Sequence, residues 1–103
     1  MKFAILSDIH GNIYALNTAL KSIEKEKIDA IIFCGDYVTD IPRANEVVEC
    51  IKNIMKKYTT YIIKGNREEK VISYENQNKK ITINNENVYF TYESLTKENL
   101  EFL

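Results

Sequence analysis

Phe3-Ala4-Ile5-Leu6-Ser7-Asp8-Ile9-His10-Gly11-Asn12 opens with an apolar run that stops at a polar cluster. A short unbroken apolar run is what a parallel strand covered on both faces needs, and the polar stop marks its carboxyl end. Helical spacing takes over at Ile13, Leu16, Leu20 and Ile23, with Asn12 suited to cap the helix and Lys25-Glu26-Lys27 marking its solvated end. Such a helix carries an apolar stripe that requires a sheet to lie on.

Outward from this unit the pattern repeats. Ala30-Ile31-Ile32-Phe33-Cys34 is a second apolar run and ends at Gly35-Asp36. Val47, Val48, Ile51, Ile54 and Met55 give a second helix its buried face. Pro42 fits the first turn of that helix, where its missing N–H would be unpaired anyway, and Asp40 just upstream can cap. Thr60-Tyr61-Ile62-Ile63, β-branched and aromatic, reads as a third strand that stops at Gly65-Asn66. The order βαβαβ calls for an α/β fold, a parallel-sheet layer with right-handed crossovers and flanking helices.

Beyond Glu68 the periodicity fades. Residues 75–87, crowded with Asn, Lys and Glu, read as a surface excursion in which Ile81 and Ile83 alternate as one short strand. Val88 to Tyr92 fits a strand or a helical turn, whereas Thr96 followed by Lys97-Glu98 reads as a helix start. Leu100, Phe102 and Leu103 have no later element to cover them, which suggests that residues 1–103 form a single domain of an architecture cut short.

Composition narrows the functional classes. Of 103 residues 45% are apolar and 28% charged, and 14 Lys+Arg against 15 Asp+Glu give a net charge of −1. Phosphate backbones and anionic lipids must be met by clustered cations, so neither a nucleic acid nor a membrane surface is the expected partner. No apolar run approaches the roughly 20 residues of a membrane-spanning helix. Cys34 and Cys50 show no metal-type spacing, no secretory leader is visible, and the cytoplasm is the expected compartment. Cys34, within an apolar strand, reads as a small core residue; the seven tyrosines and the Lys56-Lys57 and Lys79-Lys80 pairs read as solvated faces.

The polar clusters at the strand ends recur in register: Asp8 to Asp36 is 28 residues and Asp36 to Asn66 is 30. Each interval is close to one βαβ unit of roughly 30 residues. The carboxyl ends of parallel strands line one crevice, so these side chains should converge. In Asp8-x-His10 both side chains point to one side and can grip a single ion, while the two oxygens of Asp36 can bridge two. Carboxylates, an imidazole and an amide oxygen suit Mn²⁺, Fe²⁺, Zn²⁺ or Mg²⁺. Two such cations about 3.5–4 Å apart can clamp a phosphate for in-line attack. The glycines at the strand ends permit tight turns and close backbone approach, and Gly11-Asn12 leads into a helix N-terminus whose N–H groups suit an anion. A lone Asp or Asn at a strand end is more often a turn former or cap, but three matching clusters, one carrying Asp-x-His, favour a metal site.

In order and spacing these blocks resemble the calcineurin-like metallophosphoesterases, in the bacterial and archaeal branch whose chains begin with Ser-Asp-x-His-Gly-Asn. The family's successive blocks stand here as Asp8-Ile9-His10, Gly35-Asp36-Tyr37-Val38 and Gly65-Asn66-Arg67-Glu68. The resemblance implies that Asp8 and His10 hold one metal, that Asp36 bridges both and that Asn66 holds the other. It implies hydrolysis of a phosphomonoester or phosphodiester by metal-bound hydroxide. It also implies the first half of an α/β/β/α sandwich, with the face between the sheets left uncovered. The chain's only histidine is His10, so the family's later histidine blocks are not supplied and incomplete coordination is expected. Arg67 stands where the family commonly places a histidine; a guanidinium keeps its proton near neutral pH, so Arg67 can stabilise phosphate charge but cannot act as general acid. Glu68, which would orient that histidine in relatives, has no such partner here.

A second reading is a non-catalytic metal- or phosphate-binding half-domain that associates with itself or with a complementary C-terminal half. A receiver or flavodoxin-like domain fits worse. Asp8 is followed by Ile9 and His10 rather than by a second acid, and no hydroxyl- and glycine-rich phosphate loop is present.

Overall fold

A computed structural model describes residues 1–74 and 86–103. The elements are β1 (Phe3–Leu6), α1 (Ile13–Glu24), β2 (Ala30–Phe33), α2 (Ala44–Lys57), β3 (Thr60–Ile62), α3 (Asn66–Ser73), α4 (Glu86–Ser94) and α5 (Lys97–Phe102). The strands form one sheet in the order β1-β2-β3 with both pairs parallel, as the βαβαβ pattern requires. Phe3 pairs with Ala30 and Leu6 with Phe33, while Ile32 pairs with Tyr61, so the strand ends finish nearly level.

Burial follows the two-residue period of a strand. Ala4, Leu6, Ile31, Phe33 and Ile62 face the helices and join one core with Leu16 and Ile23 of α1 and Val47, Val48, Ile51 and Ile54 of α2. The opposite face is open: Phe3, Ile5, Tyr61 and Ile63 are each more than half exposed. The expectation that β1 is covered on both faces therefore fails, because all the described helices share the one core. Alternation also carries Cys34, one residue past β2, to the open side, where it is exposed rather than part of the core.

Several local expectations are revised. Asn12 does cap α1, its side-chain oxygen accepting from Ala15 N–H at 3.0 Å. Helix α2 begins at Ala44 with Arg43 at the cap position and no side-chain cap, so Asp40 does not serve there and Pro42 precedes the first turn. Val88 to Tyr92 is helical, within α4. Leu103 is buried and Leu100 and Phe102 pack on the core, so the last helix does not leave its apolar residues uncovered. Tyr37 and Tyr74 are core residues, not solvated ones. The excursion expected over 75–87, including Ile81, Ile83 and the Lys79-Lys80 pair, lies outside the described residues except for Glu86 and Asn87 at the start of α4.

Candidate metal centre

The β1–β2 pairing does not stop with the strands. Cys34 N–H donates to the Leu6 carbonyl at 2.8 Å, Asp8 N–H to Gly35 at 3.1 Å, His10 N–H to Asp36 at 3.0 Å and Gly11 N–H to Tyr37 at 2.9 Å. The Asp-x-His turn is thus laced to the Gly-Asp turn. A Cβ on Gly35, whose φ is +95°, would stand 2.6 Å from the Gly65 α-carbon, and one on Gly65 would drive into the Asp36 carboxylate. Backbone contact of this kind needs glycine, and it brings the β3 end against the other two.

The result is a cluster. Asp8, His10 and Asp36 each offer a ligand atom, and these atoms lie within 4.8 Å of one another. All three residues are left-handed, with φ of 56°, 48° and 56°. Asp and His enter that region more readily than most side chains, but it still costs free energy, and such strain concentrates at functional sites. Asp36 Oδ1 accepts from Arg67 N–H at 3.0 Å. Asn66 lies between Gly65 and Arg67, both of which touch Asp36, and it is exposed.

Electrostatics leave the rim open. Asp8 Oδ2 accepts from the Ser7 hydroxyl at 2.6 Å and Oδ1 lies 3.3 Å from His10 Nε2. The Ser7 hydrogen bond, and after it the His10 contacts, hold this exposed carboxyl below its ordinary range. His10 Nδ1 is buried, without a hydrogen-bond partner among the described residues, and 3.4 Å from Asp40 Oδ2. The Arg67 guanidinium forms no ion pair among the described residues. Gly11 and Asn12 have their backbone donors engaged with the Tyr37 and Ile9 carbonyls, so the turn itself uses the groups read as phosphate contacts.

Glu68 has a position that its sequence context did not show. It is fully buried, and its carboxylate accepts from four backbone N–H groups: Asp36 at 2.6 Å, Tyr37 at 3.0 Å, Val38 at 3.1 Å and Gly65 at 2.8 Å. It therefore shapes the loop that presents Asp36, rather than standing without a partner. Burial, with the Glu68 charge adding to it, raises the neighbouring Tyr37 phenol above its ordinary range. The only local signal for Glu68 is its place three residues after Gly65, where a Glu can reach back to the cap N–H of α3.

The donor set fits a hard-to-borderline divalent cation: two carboxylates and an imidazole converge, and one nitrogen of that imidazole is buried beside another carboxylate.

Comparison with known proteins agrees with this geometry. The family model described as calcineurin-like phosphoesterase matches residues 1–102. A protein of Methanocaldococcus jannaschii named "Uncharacterized protein MJ0912" is 31% identical over 100 residues, which are 97% of this chain and 40% of that protein. The crystal structure of hypothetical protein PH1004 from Pyrococcus horikoshii OT3 superposes with a TM-score of 0.84 at 26% identity, covering 97% of this chain and 45% of its own. That of a metallophosphoesterase from Sphaerobacter thermophilus superposes with a TM-score of 0.76 at 26% identity, covering 99% and 40%. The chain thus spans less than half the length of each of these relatives.

Proposed function

The chain belongs to the calcineurin-like phosphoesterase family, and on that premise we propose that it serves the metal-dependent hydrolysis of phosphate monoesters or diesters. The observation that carries the proposal is the convergence of Asp8, His10 and Asp36 within 4.8 Å. In this reading Asp8 and His10 would hold one divalent cation, Mn²⁺ being our choice, and Asp36 together with Asn66 would hold a second. When bound, such cations supply Lewis acidity toward phosphate oxygens and acidify water.

The remaining work falls to the chain itself. Glu68 keeps Asp36 in its left-handed conformation through the loop amides. Arg67, with its guanidinium unpaired among the described residues, neutralises phosphate charge in place of Gly11 and Asn12, whose backbone donors are engaged. It does not deliver a proton to the leaving group. Free Cys34 and Cys50 are in keeping with a reducing, cytoplasmic setting.

Calorimetric titration with Mn²⁺ tests the site. Wild type is expected to bind with an affinity more than about 100-fold above that of Asp36→Asn, a loss larger than outer-shell substitutions give. Equal heats in the two proteins reject it. Turnover of a nitrophenyl phosphodiester that EDTA abolishes tests the catalytic step.

One observation favours a second reading, a non-catalytic half-domain that docks with a complementary C-terminal half. Phe3, Ile5, Tyr61 and Ile63 leave one sheet face apolar and open. Under it the isolated chain binds an apolar dye and self-associates in light scattering, and shows no turnover. A monodisperse monomer that leaves the dye dark counts against it.

A further inference from the structure

We infer that Asp40 is a positioning residue for His10: its carboxylate holds the imidazole with the proton on Nδ1 and leaves Nε2 turned toward Asp8. The inference rests on the metal reading above, but it is carried by different atoms. The sequence pattern offers Asp40 as a helix cap, and α2 does not use it. Instead Asp40 and Thr39 are consecutive non-glycine residues in the left-handed region, with φ of 72° and 78°. Such residues are unfavourable unless their surroundings hold them. The surroundings are visible: Ile41 N–H donates to the His10 carbonyl at 3.0 Å, and Asn87 of α4 donates from Nδ2 to Asp40 Oδ1 at 3.0 Å. The other oxygen, Oδ2, then lies 3.4 Å from His10 Nδ1.

The two imidazole nitrogens meet different surroundings. Nδ1 is shut off from solvent, and its near polar neighbour is the Asp40 carboxylate. A lone pair there would face another lone pair, whereas a proton there faces a carboxylate; at 3.4 Å this is a charge contact and not a formed hydrogen bond. Nε2 lies 3.3 Å from Asp8 Oδ1, and the Asp8 side chain is 63% exposed. Nε2 therefore faces a carboxylate too, but one that water screens and that can turn to solvent, whereas Nδ1 is shut off; the buried end weighs more on the tautomer. A ligating histidine whose second nitrogen is fixed in this way is oriented before the ion arrives.

His10 is the chain's single histidine, so ¹⁵N spectra contain one imidazole and read its tautomer directly. Asp40→Asn is the informative variant, because asparagine tolerates the left-handed backbone and can still accept from Asn87. In mildly alkaline, ion-free buffer, wild type is expected to show a pyrrole-type Nδ1 and a pyridine-type Nε2. In Asp40→Asn the proton population moves to Nε2, and Mn²⁺ affinity by calorimetry falls about 10-fold, the lower end for an outer-shell partner of a metal-bound histidine. A wild-type proton on Nε2, or a tautomer and affinity unchanged in the variant, overturns the inference while leaving the metal reading intact. Wild type that binds Mn²⁺ no better than Asp36→Asn defeats the metal reading, and the ion-free spectra then decide this inference by themselves. Should Asp40→Asn lose its far-UV helical signal, Asn87→Ala replaces it. That variant leaves the loop backbone alone and should shift the tautomer in the same direction by less; no shift overturns the inference.

Discussion

Glu68 and Asp8 are both carboxylates at the carboxyl edge of one sheet, yet one is fully buried and the other has a side chain 63% exposed. Both Glu68 oxygens are engaged by backbone N–H groups from two loops. The Asp8 oxygens meet a neighbouring hydroxyl and an imidazole, and otherwise face outward. The difference teaches how to sort acids at a crevice. A carboxylate whose lone pairs are committed to main-chain donors holds architecture, and one whose lone pairs are free is available to a ligand.

The sharpest way to break that contrast is Glu68→Ala. Four N–H groups lose their acceptor, and each buried unpaired donor costs about 1–3 kcal/mol, less where water enters the space. Unfolding free energy is expected to fall by about 4 kcal/mol, a large share of the roughly 5–15 kcal/mol typical of a domain. Urea titration measures it, and a loss under about 1 kcal/mol would put Glu68 on the same footing as Asp8.

Gly65→Ala asks whether the two regions communicate. The added methyl would press on the Asp36 carboxylate and stand 2.5 Å from its backbone nitrogen. Overpacking of this kind costs about 1–3 kcal/mol, and Mn²⁺ affinity should drop with it although no ligand has been changed. Thermal melts paired with calorimetry check both. Retained affinity would mean that Asp36 is held independently of the β3 end.

The smallest effect belongs to Asp8. Its folded-state pKa lies below the ordinary 3.8, with the Ser7 hydrogen bond as the main cause. A depressed carboxyl contributes stability above its unfolded pKa and loses it as pH falls through the folded value. Wild type should therefore lose slightly more stability than Asp8→Asn as pH drops through and below 3.8. Unfolding midpoints collected across that window should show the two curves converging toward acid; parallel curves would show that Asp8 gains nothing from Ser7.

Much of the frame was legible because it is written in local periods. Strands β1 to β3 and helices α1 and α2 each carry their own apolar rhythm, and even spacing was enough to bring Asp8, His10 and Asp36 to one edge. Helix α3 was missed because Asn66-Arg67-Glu68-Glu69-Lys70 supplies no apolar face before Val71. Helix α4 was ambiguous because Val88-Tyr89-Phe90-Thr91-Tyr92 suits a strand by propensity, and packing of α4 against α3 and α2 decides otherwise. The acceptor role of Glu68 and the approach of Asp40 to His10 join residues about 30 positions apart in the chain, where no local rule reaches. Cys34 was misplaced for a simpler reason: alternation gives the parity of a strand but not which face the helices choose.

The lacing of the Asp-x-His turn to the Gly-Asp turn has an evolutionary corollary. Donors at Asp8, His10 and Gly11 meet acceptors at Gly35, Asp36 and Tyr37, and Ile41 then returns to His10. Two loops tied by so many backbone bonds are constrained in length: one codon gained or lost between Asp36 and Ile41 would slide Asp40 out of phase with its imidazole. Insertions and deletions among descendants of this sequence should instead collect at the exposed Lys25–Lys27 turn at the far end of α1, where added chain disturbs neither loop.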